Sequence, residues 1–208
     1  MVVVGIGGGG RGGAGAGGGG SGHVVDKVVE VDSQLNLTGV VGGPGENTTL
    51  HGVLVARAGE DGKTRNSRTG GSGYSGGLGI DNCNDWRDMM DDKVGGSNGG
   101  PKAGIRYVDG LGSGIDISHI PLTYIKLEPG TGGKCSYNAR SNEYRGGGGG
   151  GVIVNGDGGP PINDTVQGYT GPIVHRIDVD GEGYGGGGGF SGGRQGVLLI
   201  ETKIWNKL

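Results

Sequence analysis

Most of what builds an ordinary globular core is scarce in this chain. Aromatic residues make up 5% of it, phenylalanine occurs once, and hydrophobic residues of all kinds reach only 31%. No stretch approaches the roughly 20 consecutive apolar residues of a membrane helix, so no membrane span is expected. Two cysteines, Cys83 and Cys135, allow one disulfide and exclude a cysteine-based metal centre. Neither charge sign dominates: 18 Lys and Arg face 21 Asp and Glu, for a net charge of −3. No block of like charge marks a nucleic-acid footprint or a basic membrane patch. Arg11, Arg145 and Arg194 sit beside glycines but lack the interleaved aromatics that stack bases.

What the chain has instead is glycine, at 58 of 208 residues against an average near 7%. A helical bundle is excluded, because each glycine in a helix interior costs about 1 kcal/mol relative to alanine. Collagen is excluded because the glycines do not recur at every third position and only 7 prolines accompany them. The glycines fall in runs that abut short β-branched stretches, at 1–10, 146–154 and 183–200. Disordered chains are poor in β-branched residues, so this placement argues for order. Polyglycine can form an extended helix with three residues per turn and no internal hydrogen bonds. Its amides and carbonyls must then bond to neighbouring chains, and only glycine permits that approach.

The fold class expected is therefore mostly β and irregular, with short strands framing packed polyglycine II helices. Strands are expected at 1–6, within 24–41, at 50–57 (LHGVLVAR), 120–128 (IPLTYIKLE), 152–154, 173–179 and 197–204. Asn84 to Val94 reads as one short helix, with Trp86, Met89, Met90 and Val94 on one face. Residues 1–22 read as a glycine-rich arm and 23–208 as a single domain. A Cys83–Cys135 disulfide would close a loop of about fifty residues and add a few kcal/mol.

Three sequons, at Asn36, Asn47 and Asn163, together with the even cysteine count, point to a secreted glycoprotein. Met1 to Ile6 has no basic region and too short an apolar run for a signal peptide, so an exported protein would be represented here by a mature or recombinant form. Asp178, Asp180 and Glu182 stand at alternate positions before a glycine, the opening of a calcium loop, but Gly189 occupies the place of the closing glutamate. That leaves a weak cation site beside the plainer reading of a polar turn. The acids from Asp81 to Asp92 read as a solvated helix face. Segment 59–64 ends like a phosphate-binding loop but has Arg57 where its first glycine belongs. His23, His51, His119 and His175 have no metal-ligand spacing and no nucleophile signature beside them. No enzyme activity and no cofactor are expected.

The stretches GGGGGGVIVNGDGGPP (146–161) and GEGYGGGGGFSGGRQGVLLIE (181–201) resemble glycine-run cassettes in secreted proteins of marine invertebrates. They are similar to the glycine-rich region of the anaplastic lymphoma kinase receptor family and to the tip adhesins of T-even-like phage tail fibres. The resemblance implies packed polyglycine II helices framed by strands, and carries over no ligand-contact residue.

The function expected is that of a non-enzymatic extracellular structural protein. MVVVGI and VLLIETKIW are both apolar and strand-forming, and unless they pair within one chain each offers an edge to a neighbour. Strand or arm exchange would then build a filament or matrix. The rival reading is an adhesion module for a glycan or cell-surface ligand, with its determinants in 58–118. Ice binding is a third, for which no regular face is visible.

Overall fold

The computed structural model describes residues 1–12, 18–31, 36–62, 117–130, 136–138, 143–145, 148–157, 183–188 and 193–202. The first strand, β1 (Val2–Ile6), is buried along its whole length. Successive side chains of a strand point to opposite faces, so an unbroken apolar run such as VVVGI is stable only with both faces covered. Two antiparallel partners flank it: β2 (Val24–Val28) and β10 (Val197–Glu201), in the order β10-β1-β2. The register pairs Val2 with Val28 and Glu201, and Ile6 with Val24 and Val197.

Over one face lies a second sheet, made of β3 (Gly39–Val40), β4 (Thr48–Leu50) and β5 (Leu54–Ala56) in that order. Val3 packs there against Leu50 and Leu54, with Val25 and Leu198 beside them. Gly5 lies under Leu54 and Ala56, and a Cβ there would come within 2.5 Å of a Leu54 methyl. A glycine inside a strand here lets the two sheets close together. On the opposite face Val2 and Val4 meet Ile120, while Ile6 meets Val152 and Val154. Those valines belong to β9 (Val152–Val154), which pairs with β6 (Leu127–Pro129). Pro129 has no amide hydrogen to give and is tolerated in a ladder of only two strands. A further hairpin joins β7 (Ser136–Asn138) to β8 (Glu143–Arg145). Neither strand stands out in the sequence.

The mostly β and irregular fold class holds, with no helix among the described residues. The helix expected at 84–94 and the strand expected at 173–179 lie outside them. Three strand expectations are corrected in extent. LHGVLVAR is two strands, because the chain turns at His51–Val53 with Gly52 at φ 71° and the Val53 amide bonded to the Leu50 carbonyl. IPLTYIKLE is strand only from Leu127, because the Glu201 carboxylate takes up the amides of Thr123 and Tyr124. Within 24–41 the described residues form the short strands β2 and β3 rather than strand throughout. The turn expected after Val154 is present as a two-residue loop, with Asn155 at φ 51° and Gly156 at φ 81°.

Candidate functional site

Past Ile6 the chain runs on as Gly7–Gly10 and changes its hydrogen-bond partner at every residue. The Gly7 amide donates to the His23 carbonyl (3.0 Å), Gly8 to Glu46 (2.9 Å) and Gly9 to Arg194 (2.8 Å). Gly10 then returns to the first neighbour, donating to Gly20 (2.8 Å). The carbonyls follow the same rhythm: Gly8 accepts from the Gly59 amide and Arg11 from the Gly62 amide. Between them, Gly9 accepts from Gly45 and Gly10 from Gly188. A repeat of three residues with no bond inside the segment is the signature of a polyproline II-type helix.

The segment at 18–23 shows the same period. Gly19 and Gly22 donate to Gly188 and Gly185, while Gly20 and His23 donate to Glu60 and Arg57. Farther out, the Gly149 amide donates to the Gly19 carbonyl, and the Gly149 carbonyl accepts from Gly187. Residues 7–10 are thus the hub of a bundle, bonded directly to the stretches 18–23, 43–46, 57–62, 185–188 and 193–196 and, through Gly19 and Gly187, to a sixth at 148–151. The reason for glycine is steric at each hub position. A Cβ on Gly7, Gly8, Gly9 or Gly10 would fall on the carbonyl oxygen of Arg57, Gly43, Gly186 or Glu60 respectively. Backbone occupies the space where a side chain would begin.

Ser21 departs from the pattern inside this bundle. It is fully buried, and its hydroxyl has no hydrogen-bond partner among the described residues. An unsatisfied buried hydroxyl costs about 1–3 kcal/mol. Ser21→Ala keeps the Cβ and removes the orphan oxygen, so it is expected to stabilise the protein by about 1 kcal/mol. The urea midpoint measures this; a drop in midpoint would mean that the hydroxyl is satisfied after all.

Two ionisable groups border the bundle and the central sheet. His23 has its Nδ1 buried; burial, and then the Arg57 charge, hold its pKa below the usual imidazole value. The folded state therefore binds fewer protons than the unfolded chain as pH falls through about 6.5. The stability His23 contributes is complete above that pH and is lost as the pH drops toward its folded pKa. Glu201 is only 5% exposed and accepts from the Thr123 amide (2.8 and 2.9 Å) and the Tyr124 amide (2.8 Å). Those bonds, Tyr124's foremost, hold its carboxyl below the usual carboxylate range, so its contribution too disappears on acidification. Both effects have the same sign, but the Glu201 loss falls in the carboxylate range, below about pH 5, and of the two only the His23 loss falls between pH 7.5 and 5.5. The denaturation midpoint is expected to fall between pH 7.5 and 5.5, and to fall less in a His23→Asn variant, as urea melts at the two pH values will register.

The candidate residues from the sequence are scattered. Asn36 is exposed. Asn47 is also exposed, and its Oδ1 accepts from the Ala58 amide at 2.8 Å. Its neighbour Thr48 is fully buried and takes the Gly42 amide on its hydroxyl at 3.0 Å. Asn163, Cys83, Cys135, Asp178, Asp180 and Glu182 lie outside the described residues. Among those described, no group of three or more His, Cys, Asp or Glu side chains is placed to hold a metal ion. No described helix is long and apolar enough to cross a membrane. Tyr184, set between Gly183 and Gly185, packs beside Ile6 and Val152 and donates its hydroxyl to Asp157 (3.0 Å).

Sequence reasoning passed over Glu201 and Ser21. The end of VLLIE signals only a polar strand terminus, and a serine among glycines reads as filler. The apolar ends also meet differently from the open-edge picture, since MVVVGI and VLLIE pair with each other inside one chain. The chain matches no family model, no curated protein and no solved structure.

Proposed function

We propose that the protein is a non-enzymatic structural protein of the extracellular space, a subunit that assembles into a filament or matrix, with strand or arm exchange as the route its sequence suggests. The observation that carries this reading is the bonding of residues 1–10. Their described backbone hydrogen bonds all leave the segment, reaching residues from Gly20 to Glu201. A segment held only from outside is held equally well by another copy. The three sequons and the paired cysteine count support a secreted setting, as does the resemblance to secreted glycine-rich domains. Negative-stain microscopy and light scattering of the purified chain at rising concentration test the reading. Filaments or large oligomers are expected, and particles that stay monomeric throughout would overturn it.

A second reading, an adhesion or ligand-binding module, draws support from an open groove of about 580 Å³ between β2 and the β4–β5 hairpin. Val25, Lys27, Thr49, His51 and Val55 line it, and Val55 is 54% exposed. Most of the segment where such determinants are expected, 63–116, lies outside the described residues. Loss of cell-surface or glycan binding on replacement of the groove residues, in a protein that remains monomeric, would favour this reading over assembly.

A further inference from the structure

The structure specifies what can fill the slot between β2 and β10. These two strands pair with β1 on either side and not with each other. Without residues 1–10, both would present unpaired ladder edges to a common gap. That gap is floored by Leu50 and Leu54 on one side and by Ile120, Val152 and Val154 on the other. Its continuation into the glycine bundle is narrower still. At Gly7, Gly8, Gly9 and Gly10 a carbonyl oxygen from another segment fills the Cβ position. The slot therefore accepts a β-branched strand of about five residues followed directly by four residues without side chains. The sequence MVVVGIGGGG meets that demand.

Resting on the reading of the chain as an assembling subunit, we propose that the partner in assembly is the 1–10 segment of a second copy, seated in this slot in the register of β1. The exchanged segment makes the same bonds as the closed one, so the two forms differ only in the connecting chain and in protein concentration. From Gly12 to Gly18 that connection consists of glycine and alanine alone. Seven such residues span at most about 25 Å and impose no side-chain barrier to a changed path. Each subunit gives one segment and receives one, so the exchange closes as a reciprocal dimer or ring where the connecting chain returns, and runs on head-to-tail as an open fibre where it does not.

Cross-linking between isotopically light and heavy chains tests this. Val2 and Val28 are directly paired across β1 and β2, which suits a Val2→Cys/Val28→Cys disulfide. A second variant, Val3→Cys/Ile200→Cys, probes the β10 side, where that pair is also in register. Equal amounts of light and heavy chains are unfolded together, refolded at high concentration, oxidised and separated by size. The cross-linked peptides of the expected mass, which exclude Cys83 and Cys135, are then weighed. Exchange predicts that about half of the cross-links in the oligomer join a light to a heavy peptide, and that the monomer fraction holds same-isotope links alone. Oligomers whose cross-links are all same-isotope would overturn exchange while leaving assembly through another surface intact. The absence of oligomers would overturn both.

Discussion

Replacing Gly9 by alanine is expected to destabilise the protein by about 4 kcal/mol, a large share of the roughly 5–15 kcal/mol that keeps an ordinary domain folded. Overpacking in a core costs about 1–3 kcal/mol when side chains can shift aside. Here the obstacle is the Gly186 carbonyl, which cannot turn away without moving its segment. Moving it breaks the bond from the Arg194 amide to Gly186 (2.6 Å), and the Gly9 amide loses its hold on the Arg194 carbonyl. Each such bond adds about 1 kcal/mol to the loss, more if a partner stays buried and unsatisfied. Gly43 is the control. A Cβ there meets nothing nearer than the Glu46 carboxylate at 3.3 Å, an exposed side-chain end that can shift by a few tenths of an ångström while still accepting from the Gly43 amide. Gly43→Ala is expected to stay within about 0.5 kcal/mol of the parent. Calorimetric melts of the two variants decide the matter, and equal melting temperatures would show that the bundle is not close-packed at its hub.

Truncating Ile6 to alanine is the second large loss, at about 3 kcal/mol. Ile6 is fully buried and ends the strand just where the chain becomes polyglycine. It contacts Val152 and Val154 in β9, with Val197 and Leu199 from β10 around it. No neighbour is free to fill the resulting cavity, since backbone packs the next positions on one side and paired strands the other. Both the lost transfer energy and the cavity term therefore apply. Val55→Ala, at a side chain 54% exposed, is expected to change stability by less than about 0.5 kcal/mol. Urea titration of both variants separates a core role for Ile6 from a general preference for β-branched residues. Equal losses at the two sites would contradict the layered arrangement.

Which parts of this fold are legible in the sequence follows from where side chains carry information. VVVGI and VLLIE announce themselves as strands through β-branching, and VIV with Asn155-Gly156 announces a strand and its turn. Their pairing does not announce itself: an apolar strand buried on both faces lacks the alternation that would say which neighbour lies on which side. The split of LHGVLVAR hinged on Gly52, whose positive φ makes a turn where the surrounding residues favour extension. The short extent of strand in IPLTYIKLE depended on Glu201, which lies 77 and 78 residues beyond the amides it accepts. The glycine runs could be located but not connected. A polyglycine helix has no side chains to encode its partners, so the choice of neighbour comes from the strands and turns at either end. The candidate site was legible in the same measure: the hub segment by composition, its partners and the slot it fills only from the assembled backbone.

The three-residue rhythm of the bundle sets a rule for how such a chain can change in length. Each residue of the hub rotates by roughly 120° to face a new neighbour. Inserting one glycine between Gly8 and Gly9 would leave composition, flexibility and hydrophobicity almost unaltered, yet every residue beyond it would address the wrong segment. Arg11, whose carbonyl now meets the Gly62 amide, would be turned by one third of a circle and its side chain driven into the bundle. Three inserted glycines would restore the phase and merely lengthen the helix by one turn. The glycine runs are thus read in triplets along a screw axis, and their lengths carry information that their monotonous composition conceals.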